Sequence, residues 1–144
     1  MGTAVPFCAR ALSSEGHDRS AWARAGMHIN AIGSTMPKLR EIDSESFARA
    51  GRIVIDCQPK QIEEESGDVI DALANGRYDR GKVVELQEVV AGRASGRDAE
   101  DQITLFKSVG TAVQDVTAGY AVYQEARRLG VASEVPDFLE LKTF

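Results

Sequence analysis

The chain has 144 residues, about one domain, which is long enough to bury a real core. Hydrophobic residues make up 43% and charged residues 27%, an ordinary globular balance. A net charge of −5, with Lys and Arg scattered along the chain, excludes the basic face of a nucleic-acid binder and argues against anionic membranes.

Residues 1–25 form a poorly defined N-terminal segment, polar and turn-like over Ser13–Arg19, with the lone tryptophan at Trp22. The start MGTAVPF lacks the charged-then-apolar order of a signal peptide, and no apolar run reaches the roughly 18 residues of a membrane helix. A cytoplasmic setting is therefore expected. Cys8 and Cys57 have no paired Cys or clustered His nearby, so reduced thiols and no metal site are expected.

Met27–Ile32 alternates as a strand does. Ser44–Ala50 reads as a helix, with Asp43 or Ser44 as its N-cap and Phe47 turned inward. Arg52–Asp56, a β-branched run ending in a carboxylate, reads as a buried parallel strand. Gln61–Leu73 has helical spacing through Ile62, Val69, Ile70 and Leu73, and Gly67 either interrupts that helix or starts a second one. Val83–Ala91 reads as a short helix and Gly92–Asp101 as a polar loop. Ile103–Phe106 is again a buried strand. Ser108–Leu129 is the longest helix, with Val109, Ala112, Val113, Val116, Tyr120 and Tyr123 along one stripe. Strands alternating with helices predict an α/β fold with a parallel sheet, although only three strands are countable.

The candidate chemistry lies where strands end. None of the thirteen glycines are two residues apart, so G-x-G-x-x-G is absent, and in FKSVG the glycine follows Lys107 and Ser108, unlike a phosphate-binding P-loop. The loop after Ala31 is centred on Gly33, and loops at the carboxyl ends of strands in α/β sheets bind ligands. Ser108 stands where a strand meets the long helix. It serves either as a plain helix cap or beside a ligand oxygen, with Gly110 allowing close approach. Glu65 reads either as a cleft carboxylate or, like Glu63 and Glu64, as part of a solvated acidic face. Asp56 ends a strand, where a site residue or a helix cap fits equally well. His28 reads as a packed strand residue and Lys107 as a snorkelling surface residue. No Ser-His-Asp or Cys-His set is suggested, since His17 and His28 are the only histidines.

Four blocks in order carry a resemblance: HINAIGSTMPKLREID (28–43), RIVIDC (52–57), EESGDV (64–69) and ITLFKSVGTAVQD (103–115). Over residues 26–130 the chain resembles the C-terminal half of the ornithine cyclodeaminase/mu-crystallin family. The resemblance implies a partial Rossmann-like parallel sheet with flanking helices and a long C-terminal helix. Residues 26–107 would be the C-terminal half of an NAD(P)-binding domain. Residues 108–144 would be a helix and tail packing on a substrate and dimerisation domain that lies outside this chain. The implied cofactor is NAD(P)H, and the implied partners are a small imino or amino acid and a second subunit.

By the same resemblance, Ala31, Ile32, Gly33 and Ser34 would pass beside the nicotinamide, and Ser108, Val109 and Gly110 would contact its end of the cofactor. Glu65 would line the substrate pocket, and Asp115 matches a recurrent acidic position of the long helix. Thr35 stands where ornithine cyclodeaminases carry an aspartate acid/base in GGDCPGK. Threonine is no general base near neutral pH without an activating partner. The Gly33-Ser34-Thr35-Met36-Pro37 form resembles the mu-crystallin and imino-acid reductase branch. The chain is accordingly expected to be the C-terminal portion of a reductase of small cyclic imino acids. The alternatives are an ornithine cyclodeaminase or a non-catalytic ligand-binding remnant.

Overall fold

The computed structural model describes residues 6–9 and 23–133. The expectations for Ser13–Arg19, for Trp22 and for the tail beyond residue 133 lie outside the described residues. The chain divides into two units, residues 1–110 and 111–144.

The first unit is built on a parallel sheet of five strands: β1 (Pro6–Ala9), β2 (His28–Ala31), β3 (Arg52–Ile55), β4 (Val83–Glu85) and β5 (Thr104–Lys107). Their spatial order is β1-β2-β5-β3-β4, so the last strand in sequence sits at the centre. Ile29, Ala31, Ile53, Ile55 and Leu105 of the three inner strands are buried together in the core. All-parallel sheets need both faces covered, which is why β3 reads as a nearly continuous apolar run, whereas β2 alternates buried Ile29 and Ala31 with half-buried His28 and Asn30.

Two strands correct the count of three. β1 opens on Pro6, which has no N–H to donate; as the first residue of an edge strand it is tolerated. β4 occupies the first three residues of the expected helix Val83–Ala91, of which only Leu86–Val90 (α4) is helical. A short apolar run fits either period. Pairing of Val83, Val84 and Glu85 with Ile53, Val54 and Ile55 decides the matter. A single 3-10 turn, Arg80–Lys82, capped by the Asp79 side chain on Gly81 N–H, delivers the chain to that register.

Helix α1 (Ser44–Arg49) is capped as expected, since Asp43 Oδ1 accepts from Ser46 N–H at 2.7 Å and from Ser46 Oγ at 2.9 Å. Phe47 is fully buried and meets Tyr78 edge-on, with ring centroids 5.8 Å apart. The helical run 61–73 is two helices, α2 (Pro59–Glu65) and α3 (Gly67–Ala74), separated by an extended Ser66. Gly67 therefore starts the second helix. Its missing side chain is required, because a Cβ there would lie 2.1 Å from Leu39 O and 2.8 Å from Pro37 O. The amino end of α3 is thus pressed against the backbone of 37–39.

The second unit contains α5 (Ala112–Leu129), closed by Gly130 in the left-handed conformation at φ 68°. The helix begins at Ala112 after Thr111, not at Ser108. Residues Ser108–Gly110 form a separate turn, and Gly110 has φ 78°. Asp115 lies in the first helical turn, where a carboxylate suits the helix dipole. Among the described residues no helix is long and apolar enough to cross a membrane.

Candidate functional site

Parallel strands present all their carboxyl ends on one edge of the sheet. At that edge Ala31 of β2, Lys107 of β5 and Ile55 of β3 stand side by side in register. Ser108 N–H donates to Ala31 O at 3.1 Å, which ties the start of one turn to the end of the next strand. The two segments singled out in the sequence, Ala31–Ser34 and Ser108–Gly110, are far apart along the chain, yet they form adjacent turns of one edge.

The Ser108 turn is built on Asp56, the carboxylate that directly follows β3. Ser108 Oγ donates to Asp56 Oδ2, Val109 N–H reaches Asp56 Oδ1 at 3.4 Å, and Gly110 N–H donates back to Ser108 Oγ at 3.0 Å. Ser108 is therefore not the cap of α5, and Asp56 is not the cap of α2, whose N-cap is Gln58. Gly110 has open space where a Cβ would be, and its positive φ is one that L side chains rarely adopt. On the neighbouring turn Ile32 is 51% exposed, an apolar side chain standing out at a strand end. Ser34 is turned the other way: it is fully buried, and its Oγ donates to Leu39 O at 2.5 Å. Thr35 and Met36 are exposed beside it.

Lys107 overturns its surface reading. As the last residue of the central strand it is wholly buried, with Nζ 2.9 Å from Asp68 Oδ2, 3.8 Å from Glu41 Oε2 and 3.2 Å from Ala31 O. Glu41 and Asp68 are equally inaccessible. Each carboxylate also holds backbone: Glu41 Oε2 accepts from Gly33 N–H at 2.7 Å, and Asp68 Oδ1 accepts from Glu41 N–H at 2.7 Å and Ile42 N–H at 3.2 Å. Burial pushes the Glu41 carboxyl up from its ordinary value, opposed by the Gly33 N–H and the Lys107 charge. Neither Glu41 nor Asp68 stands out in the sequence. The available signal was a lysine at the end of an otherwise apolar buried strand, which requires partners.

Glu65 closes α2 on the surface, where it accepts from Gln61 Nε2 at 3.3 Å. Its field acts on Cys57, the buried thiol after β3. Burial first, then the Asp56, Glu65 and Glu85 charges, push that thiol up to about 11. No hydrogen bond among the described residues joins Glu65 to the turns at Ala31 or Ser108. A groove of about 370 Å³ runs along β4, past Pro59, Tyr78 and Val83. Its carboxylates already have partners: Glu63 with Arg80, Glu88 with Arg93 and Glu85 with the Gln87 amide.

His28 lies at the opposite edge, where its ring bonds Thr104 Oγ1 at 2.7 Å and Asn30 Oδ1 at 3.2 Å. Burial pulls its pKa below 6.5; the Asn30 bond opposes this, and the nearby Arg97 charge adds to it. A lowered folded-state pKa contributes stability that is present above the unfolded value and lost as pH falls through the folded one. Stability should therefore decline as pH drops below about 6.5, the unfolded value. His28→Gln should flatten that decline in urea titrations, and an unchanged slope would assign it to other groups.

A model of the ornithine cyclodeaminase/mu-crystallin family matches residues 18–129. The chain belongs to the ornithine cyclodeaminase/mu-crystallin family. The match covers both turns, the Lys107 cluster and all of α5. A Δ1-pyrroline-2-carboxylate reductase from Bacillus cereus is 33% identical over 111 residues, 76% of this chain and 34% of the relative. The solved Δ1-pyrroline-2-carboxylate reductase of Thermococcus litoralis, in complex with NADH and L-proline, is 38% identical with a TM-score of 0.69. That likeness covers 81% of this chain and 36% of the other. An archaeal alanine dehydrogenase dimer with bound NAD is 34% identical with a TM-score of 0.69, over 88% of this chain and 39% of the other. Thus the chain spans about a third of the length of the curated relatives it matches. The family fold is the expected one, a Rossmann-like parallel sheet with flanking helices.

Proposed function

We propose that this chain is the carboxyl-terminal portion of an NAD(P)H-dependent reductase of small cyclic imino acids. The observation that supports this most directly is the pairing of the Ile32–Ser34 and Ser108–Gly110 turns at the carboxyl edge of a sheet similar to that of an NADH- and proline-bound reductase. The residues present fit the nicotinamide end of such a cofactor. Ile32 offers an exposed apolar surface for a flat ring, and Gly110 leaves room for close approach. Bound there, a reduced nicotinamide would supply the hydride for the C=N carbon of the imine, and a proton from solvent would balance the charge at the nitrogen.

The protein's own contribution is positioning. Asp56 holds Ser108 and orders the second turn, and Glu41 holds Gly33 and orders the first. Thr35 at the loop tip offers no base, which favours reduction over deamination. The five-stranded unit up to Gly110, β1 included, would then form the second half of the cofactor domain, and α5 with the segment after it would close on the substrate domain. Glu65 would line the substrate pocket. The whole enzyme would be a cytoplasmic homodimer.

Titrating the chain with NADH while following backbone amides by NMR tests the reading. Shifts at Ile32, Gly33, Val109 and Gly110, with an affinity of about 1 mM for such a partial site, are expected. Saturable shifts confined to other residues, or none at ten times that concentration, would remove it.

A further inference from the structure

The Lys107 cluster has a second consequence for the edge described above. No hydrogen bond or ion pair joins Lys107 directly to Gly33 or Ser34. It acts on both ends of their loop, through Ala31 O at 3.2 Å and through Glu41, whose carboxylate holds Gly33 N–H. Asp68 completes the circuit by holding Lys107 with one oxygen and the backbone of Glu41 and Ile42 with the other. The loop 31–42 is therefore clamped at its first residues and at its last, and Ser34 Oγ on Leu39 O braces its middle. A bridge of carbonyl and carboxylate alone would repel itself; the lysine cation makes the closure possible. A Cβ at Gly33 would lie 3.1 Å from Glu41 Oε1, so the carboxylate rests directly beneath the turn.

We propose that Lys107, Glu41 and Asp68 are a buried lock that sets the shape of the Ile32–Ser34 turn, so that Lys107 and Glu41 are positioning residues for the cofactor-side loop. The proposal rests on the cofactor-side reading of that turn. The alternative is an ion cluster that stabilises the whole unit without particular hold on the turn.

Amide exchange in the 144-residue chain separates the two. In Lys107→Met the Gly33 and Ser34 amides should exchange at least tenfold faster relative to the core amides of Ile53 and Leu105. Those core amides absorb any general loss of stability. The double variant Asp68→Asn with Lys107→Met removes one uncompensated carboxylate while keeping an acceptor for Glu41 and Ile42. It should regain stability but not Gly33 protection, and its NADH affinity should stay about tenfold below that of the parent. If Gly33 and Ser34 exchange follows Ile53 and Leu105 in both variants, the cluster is merely structural and the lock is overturned, whatever NADH does. If the parent chain shows no NADH shifts but Lys107→Met still frees Gly33 selectively, the cofactor reading falls and the lock stands.

Discussion

Lys107→Met is expected to lower the unfolding free energy at neutral pH by about 3–5 kcal/mol. Methionine fills much of the same volume, so the loss is electrostatic. Two inaccessible carboxylates, Glu41 and Asp68, lose the cation they share. Against a typical stability of about 5–15 kcal/mol this is a large share, visible as a marked fall in the urea midpoint. The deficit has a sign with pH. Glu41 already holds its proton more tightly than an ordinary carboxyl because of burial, and losing Lys107 strengthens that tendency. The variant should therefore close part of the gap as pH falls through the raised Glu41 pKa, where one buried charge is neutralised. A deficit that stayed constant from neutral to acid pH would mean that packing, not charge, carries the effect. Lys60 provides the contrast: it pairs with Glu64 at 3.9 Å with side chains 86% and 66% exposed, so Lys60→Met should cost no more than about 0.5 kcal/mol.

Gly67→Ala should cost about 3 kcal/mol or more, at the upper end for overpacking. Two effects oppose each other here. Alanine is the better helix former by about 1 kcal/mol and stands at the first position of α3. The added Cβ would meet Leu39 O at 2.1 Å and Pro37 O at 2.8 Å, both backbone atoms that no rotamer change can move. The clash wins, and relief requires lifting α3 away from the loop that carries Glu41. Urea unfolding reads the cost, and the Gly33 and Ile42 amide shifts report the displaced loop. Stability within about 0.5 kcal/mol of the parent would mean that this close approach is not a real constraint.

Much of the layout was legible from residue order. The strands around Ile29, Val54 and Leu105, the Asp43-capped helix and the break at Gly67 follow from apolar period, cap chemistry and a glycine. The two turns of the candidate site were legible too, because glycine after a strand is a local signal. The edge strands were not. PFCA opens on a proline, and VVE has a pattern that fits a helix equally well, so only pairing with β2 and β3 distinguishes them. The start of α5 was misplaced by four residues, because Ser108 makes its bond to Asp56, across the sheet and 52 residues away in sequence.

The sequence by itself determined the alternation of strands and helices and the family resemblance. These are encoded in neighbouring residues, so no tertiary contact is needed to read them. Only the tertiary structure decided the fate of Lys107 and what Glu41 and Asp68 do. A charge is buried or exposed according to which strand lies beside it. The order β2-β5-β3 places the last residue of β5 inside, where the carboxylates of a loop and a helix converge on it.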